Sequence, residues 1–241
     1  MDLRDKVAIV TGGAVRLGRA LALALAGQGA RLVIHYNSSA DPAEETLAQI
    51  KALSDGIAVQ ADLRQVGQVQ AIIAHALEHF GQIDVLINSA AIFEPGGIAD
   101  TTEADWDRHF ETNLKAPFFL CQAFAAQVGK ERPGHIINIA DWRATRPRAN
   151  FLAYTLTKAA LITMTYSLAQ ALAPNIQVNA IAPGLILPPP GKDQAYLEQM
   201  AQTIPAHQAG SPDDIAKTML FLLGSDFITG ELIFVTGGEH L

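Results

Sequence analysis

The feature that most constrains the fold is a strand, glycine turn and helix at the start of the chain, repeated in outline to its end. Lys6–Thr11 (K-V-A-I-V-T) is a short β-branched run. It passes at once into G-G-A-V-R-L-G-R and then A-L-A-L-A-L-A. The same alternation follows: strand Arg31–Tyr36, helix Asp41–Leu53, strand Ile57–Gln60, helix Gln65–Phe80 and strand Ile83–Asn88. A helical region from Thr102 to about Val128 leads to strand His135–Ala140 and helix Phe151–Ala173. Strand Ile176–Ile181, a loop, a helix after Ser211-Pro212 and a last strand Glu231–Val235 complete the chain. Parallel strands need crossovers of about this length, and strands covered on both faces read as continuous apolar runs. The pattern predicts one α/β domain over residues 1–241, a Rossmann-type doubly wound parallel sheet of about seven strands with helices on both faces.

In such sheets ligands sit beyond the carboxyl ends of the strands, near the switch in strand order. Six strand ends carry polar, Gly or Pro features on that edge: Gly12 and Arg16, His35 to Ser39, Asp62, Asn88 to Phe93, Asp141, and Pro183-Gly184. Gly12, Arg16, Leu17 and Gly18 belong to a turn of the kind that lets backbone approach a pyrophosphate, with the N-terminus of a helix behind it. The strict G-x-G-x-x-G spacing is absent. An NAD site places Asp or Glu after the second strand. Here that segment is His35-Tyr36-Asn37-Ser38-Ser39, with no carboxylate before Asp41. Hydroxyls, an amide, a histidine and nearby Arg16 suit a 2′-phosphate, so the expected cofactor is NADPH. Asp62 of A-D-L, beside Leu63, is expected to accept from an adenine amine or to cap the next helix.

Tyr154 and Lys158 stand four apart where a helix begins, on one face, and Asp141 lies thirteen residues upstream. A lysine beside a phenol is expected to favour the phenolate, which would let the tyrosine pass a proton near neutral pH.

Composition narrows the partners. The chain has 241 residues, 49% of them apolar, with a net charge of −7 and no basic block. That argues against nucleic acid or an anionic membrane. The single cysteine, Cys121, excludes an internal disulfide and reads as a small buried residue. No signal peptide or membrane-length apolar run is present, so a soluble, cytoplasmic protein is expected.

T-G-x-x-x-R-x-G, L-I-N-S-A-A, Asn113, Tyr154-x-x-x-Lys158 and Pro183-Gly184 together resemble the short-chain dehydrogenase/reductase family along the whole chain. Two departures are informative: Arg16 replaces the usual middle glycine, and Asp141 the usual catalytic serine. With His35-Tyr36 and Phe93, they are similar to the pteridine reductases and bacterial dihydromonapterin/dihydrofolate reductases. The resemblance implies NADPH-dependent reduction of a dihydropterin, and a homotetramer. It assigns proton delivery to Tyr154 with Asp141, and gives Lys158 both the tuning of Tyr154 and the nicotinamide ribose. It gives Asn113 a water, Phe93 the pterin face opposite the nicotinamide, and Arg16 a place near phosphate and substrate. Asn88 and Ala90 after strand four, and Pro183, Gly184 and Ile186 after strand six, complete the implied cofactor set, Ile186 through its backbone. Ala91 stands where some pteridine reductases have a serine.

Chemistry agrees with the substitution. A serine can donate to a carbonyl oxygen and hold a developing oxyanion, whereas an ionised carboxylate only accepts. Asp141 therefore disfavours ketone chemistry and suits an imine in an amino-heterocycle. Carbonyl reduction of a 3-oxoacyl thioester or sugar ketone is the alternative, followed by a non-catalytic nucleotide sensor. His75-x-x-Glu78-His79 matches an inverted zinc-peptidase pattern but is read as a surface turn, with no metal expected. Arg143, Arg146 and Arg148 are read as a solvated face or subunit contact, or as meeting an anionic substrate tail. Leu187–Gly191, with three prolines, is read as a lid or an inert connection.

Overall fold

The computed structural model describes residues 1–128, 132–189 and 191–241. Among them are seven parallel strands: β1 Val7–Val10, β2 Arg31–Tyr36, β3 Gly56–Gln60, β4 Val85–Asn88, β5 Gly134–Ile139, β6 Ile176–Pro183 and β7 Leu232–Val235. Their spatial order is β3-β2-β1-β4-β5-β6-β7. The order reverses between β1 and β4, which run side by side with Ala8 opposite Val85 and Val10 opposite Ile87. That reversal opens a crevice at the carboxyl ends of the strands.

The strands are short and apolar because both faces are covered, and the pleat sends alternate side chains to opposite sides. Ala8, Val10, Leu32, Ile34, Val85 and Ile87 join a core with Leu21 and Leu25 of α1 (Arg16–Gly27) and Met219 and Leu222 of α8 (Pro212–Leu223). Val7, Ile9, Val33 and Leu86 face the other way. They meet Val69, Ile72 and Ile73 of α3 (Val66–Phe80) and Leu120 and Phe124 of α5 (Ala116–Gln127). A one-residue slip of any strand would exchange its two faces, so the register is strongly specified. The remaining helices are α2 (Ala40–Lys51), α4 (Glu103–Phe110), α6 (Leu152–Leu172) and α7 (Gln194–Ala201).

Three elements differ from expectation. The helical region 102–128 is divided: α4, capped by a reciprocal Thr102–Asp105 box, gives way to a π-helical segment at Glu111–Lys115 before α5. Pro117 in the first turn of α5 explains this, since it has no N–H to offer and its ring crowds the carbonyl four residues back, at Asn113. Second, α7 was not expected; Asp193 starts it by accepting from the Tyr196 N–H at 3.1 Å. Third, β6 runs on to Pro183, so the loop beyond it starts later. In the triple-proline connection, Pro190 lies outside the described residues; Pro188 accepts through its carbonyl from the Arg16 guanidinium at 2.7 Å.

Candidate active site

The crevice at the β1/β4 reversal holds a cavity of about 510 Å³. Its floor is the first turn. Gly12 has φ of +64°, a left-handed conformation, and a Cβ there would press on Ala90 at 3.0 Å. A Cβ on Gly18 would come within 2.1 Å of the Gly12 carbonyl oxygen, so the close crossing of turn and helix requires glycine. No side chain caps α1, and its first turn holds no acid. A bare helix N-terminus behind a backbone floor suits a phosphate. This cradle fits a dinucleotide pyrophosphate.

His35 lies under the turn and is 2% exposed. Its Nδ1 accepts from the Gly12 N–H at 3.2 Å, and its Nε2 donates to the Ala61 carbonyl at 3.0 Å. Burial pushes its pKa below the ordinary 6.5. The ring is therefore neutral and fully engaged, a support for the turn rather than a cation for a phosphate. Asn37 and Leu63 line the cavity, while Tyr36, Ser38 and Ser39 do not. Asp62 is also at the wall, but Arg64 grips it, with Nη2 at 2.7 Å and Nε at 3.0 Å from its oxygens. These contacts hold the carboxyl down at about 2. Asp62 does not cap α3, whose cap position is Gln65. Arg64 was absent from the sequence reading; its only signal was a cation two residues after Asp62.

Asn88 lies in the core rather than at the cavity. Its amide donates to Asn138 Oδ1 at 2.8 Å and to Cys121 Sγ at 3.4 Å, and it is 3% exposed. Cys121 is buried too, which pushes its thiol up to about 12. Ala90 lines the cavity. The Ile186 side chain turns into the α1/α8 core. Gly184 packs against the segment after β7, where a Cβ would meet Thr236 Cα at 2.7 Å.

The second part of the site stands at the ends of β5 and α6. Tyr154 Oη donates to Asp141 Oδ2 at 2.8 Å, and the Arg143 N–H donates to Asp141 Oδ1 at 2.7 Å. The Arg143 guanidinium is 3.5 Å from Asp141 Oδ2. Lys158, 3% exposed, donates to the Ile139 carbonyl at 2.7 Å, and its Nζ stands 5.7 Å from the Tyr154 ring centroid. Burial drives Lys158 down to about 8, against the opposing charge of Asp141. The expectation that lysine lowers the phenol pKa is corrected here. Burial first, then the Asp141 charge, holds the Tyr154 phenol well above its usual value. The resting pair is a neutral phenol donating to a carboxylate.

Asn113 is buried in the π-helical segment and 1% exposed. Its Oδ1 accepts from the Ile92 N–H at 2.9 Å, while its Nδ2 donates to the Ile92 carbonyl at 3.0 Å and Thr157 at 3.3 Å. It locks the loop after β4 to α6 through both side-chain atoms, with one lone pair of Oδ1 left over. Phe93 on that loop stacks on Phe151, with centroids 4.3 Å apart, and meets Tyr154 edge-on at 4.7 Å. One face of its ring is thus already covered. Phe151 enters α6 in a left-handed conformation, φ +58°, which a non-glycine residue adopts at a cost of about 1–3 kcal/mol.

A second cavity, of about 560 Å³, opens beside this group. Trp142, Arg148 and Phe151 line one side; Met200, Ile204 and Glu239 line the other. Its far wall, from α7 and the segment after β7, gave no sequence signal. The zinc-like triplet lies elsewhere: the His75 side chain is 54% exposed and stands 3.7 Å from Glu78.

Comparison with known proteins places this arrangement among relatives. The family model described as enoyl-(acyl carrier protein) reductase matches residues 13–240. The 3-oxoacyl-[acyl-carrier-protein] reductase FabG of Staphylococcus aureus is 36% identical, covering 98% of each chain. The dehydrogenase subunit BbsD of Thauera aromatica, which acts on (2S)-[(R)-hydroxy(phenyl)methyl]succinyl-CoA, is also 36% identical, over 100% of this chain and 99% of its own. Among solved structures, FolM alternative dihydrofolate reductase 1 of Brucella canis, complexed with NADP, superposes with a TM-score of 0.93 at 34% identity. The alignment covers 100% of this chain and 96% of that one. A Burkholderia cenocepacia short-chain dehydrogenase with NADP superposes with a TM-score of 0.92 at 35% identity, covering 99% of both chains.

Proposed function

The chain belongs to the short-chain dehydrogenase/reductase family, and we propose that within it the protein uses NADPH to reduce a dihydropterin to the tetrahydropterin at a C=N bond. The observation that carries this reading is the Tyr154–Asp141 hydrogen bond of 2.8 Å. It puts a proton donor and a carboxyl acceptor side by side at the end of β5. A carbonyl substrate needs a donor on its oxygen, and Asp141 offers none while ionised. A dihydropterin presents amino-pyrimidine N–H groups to accept from and a ring nitrogen that must gain a proton. The NADP complex of the Brucella FolM relative supports both the cofactor and the substrate class.

The first turn would hold the pyrophosphate on Gly12, Gly18 and the start of α1. No carboxylate follows β2 to bind a ribose 2′-hydroxyl; Asn37, Arg16 and Arg64 at that edge suit a 2′-phosphate. When bound, the nicotinamide supplies the hydride. Tyr154 passes its proton to the ring nitrogen, a role its high pKa permits because the proton stays on the phenol until a basic site forms beside it. Asp141 orients that phenol and accepts from the heterocycle. Arg143 fixes the Asp141 carboxyl by its backbone N–H and stands with its guanidinium beside it. Lys158, held by Ile139 behind the phenol, would reach the nicotinamide ribose. Exposed Phe118, Leu156 and Tyr166 on α5 and α6 support assembly as a homotetramer.

The FabG and BbsD relatives favour a second reading, reduction of a 3-oxoacyl thioester. NADPH oxidation with 7,8-dihydromonapterin, dihydrobiopterin, dihydrofolate and an acetoacetyl thioester, for wild type and Asp141→Ser, separates the two. Pterin turnover that drops about 100-fold or more in the variant is expected, on the scale of a lost proton-transfer partner. Thioester turnover without pterin turnover would overturn the pterin reading.

A further inference from the structure

We propose that the cavity between the turn after β5 and the segment after β7 is a subsite for a substrate side chain with an aromatic body ending in a carboxylate, and that Arg148 selects for that ending. The inference rests on the pterin reading above and narrows it to dihydropterins of the folate type.

The three arginines that are equivalent in the sequence are not equivalent in the fold. Arg143 is committed to Asp141, at 3.5 Å. Arg146 donates through Nε to the His240 carbonyl at 3.0 Å, which ties the turn to the end of the chain. Arg148 lies 5.9 Å from the Trp142 ring centroid and has no hydrogen-bond or ion-pair partner among the described residues. It lines the same cavity as Arg143, the residue whose backbone N–H holds Asp141. A guanidinium stacked near an indole, with its fork unused, is suited to a carboxylate.

The walls specify what precedes that carboxylate. Phe151, Met200 and Ile204 present an apolar channel, and about 560 Å³ is within the range that holds a drug-sized group. A polyhydroxyl chain could pair with Asn150 and Thr203, but any hydroxyl set against Phe151, Met200 and Ile204 would lose its water without a partner, which costs free energy. An aromatic linker loses nothing there. Glu239 is the one acid on the lining, and it belongs to the wall rather than the mouth. Its Oε2 is buried without a partner, and lies where a Cβ on Gly184 would come within 2.8 Å of it. Burial pushes its carboxyl above the ordinary 4.5, against the opposing charges of Arg143 and Arg148.

The test compares kcat/KM for dihydrofolate with kcat/KM for dihydrobiopterin, whose side chain is short and uncharged, in wild type, Arg148→Ala, Arg148→Lys and Arg146→Ala. The expected result is a dihydrofolate-to-dihydrobiopterin ratio that falls about fivefold in Arg148→Ala, through the KM of dihydrofolate, as suits an exposed charge pair. Arg148→Lys should restore part of it, and Arg146→Ala should keep the wild-type ratio. Added salt should lower the wild-type ratio and leave that of Arg148→Ala flat. A ratio unchanged in Arg148→Ala, with both pterins still turned over, overturns this inference and leaves the pterin reading standing. Turnover of the thioester alone removes both.

Discussion

The two cavities at the carboxyl edge of the sheet are similar in size and opposite in construction. The one at the β1/β4 reversal is built from backbone: a left-handed Gly12, a Gly18 pressed onto its carbonyl, and an uncapped helix start. The one beyond β5 is built from side chains of Trp142, Arg148, Phe151, Met200 and Ile204, drawn from two separate stretches of chain. A backbone site recognises a group every relative shares, and tolerates almost no substitution. A side-chain site can be re-lined residue by residue while the fold stays as it is. The relatives fit this division, since proteins named for acyl-carrier, acyl-CoA and dihydrofolate substrates align over nearly the whole chain.

The comparison can be broken most sharply at Gly18. Gly18→Ala would set a methyl 2.1 Å from the Gly12 carbonyl oxygen. NADPH binding, followed by fluorescence titration, is expected to weaken about 100-fold as the turn is forced apart. Affinity within a few-fold of wild type would show that the backbone cradle does not hold the cofactor.

Asn113→Ala probes the link between the two regions. It leaves the buried Ile92 N–H and carbonyl without their partners, at about 1–3 kcal/mol, so the thermal midpoint should fall by several degrees. The Phe93 loop should loosen with it, and dihydropterin KM should rise. A stability loss with KM unchanged would make Asn113 a purely structural lock.

The smallest effect is one of pH. His35 has a folded pKa below its unfolded value of 6.5, so between the two the unfolded chain binds more protons. The stability due to neutral His35 is complete above 6.5 and is lost as pH falls towards the folded value. NADPH affinity should hold through that window and weaken only as pH falls through the folded value, where protonation at Nδ1 removes the acceptor of the Gly12 N–H. Denaturant titrations from about pH 5 to pH 7.5 should show that slope in wild type and lose it in His35→Gln. Equal slopes would remove His35 from the support of the turn.

Much of this was legible in the chain itself. Alternating apolar runs and helix-length stretches define a doubly wound sheet, because no other packing buries both faces of so many short strands. Gly12, Gly18, Asp141, Tyr154 and Lys158 stand at positions the period and the turn chemistry mark out. The π-helical break was legible in part, through Pro117. Other features were not. His35 looks like a phosphate ligand in a polar segment, and only its depth shows it to be a neutral strut. Asn88 looks like a strand-end polar group, and its partners Asn138 and Cys121 lie 50 and 33 residues away.

Local periodicity and backbone requirements thus determined the sheet and the crevice, because those depend on residues near one another in the chain, and the family resemblance singled out Asp141, Tyr154 and Lys158. The state of those residues was decided by tertiary packing. Burial keeps Tyr154 protonated and brings Lys158 to about 8. Contacts across more than ninety residues sort Arg146 from Arg148 and close the second cavity. Desolvation and long-range contact have no signature in spacing, since they arise only when distant segments exclude water from the same place.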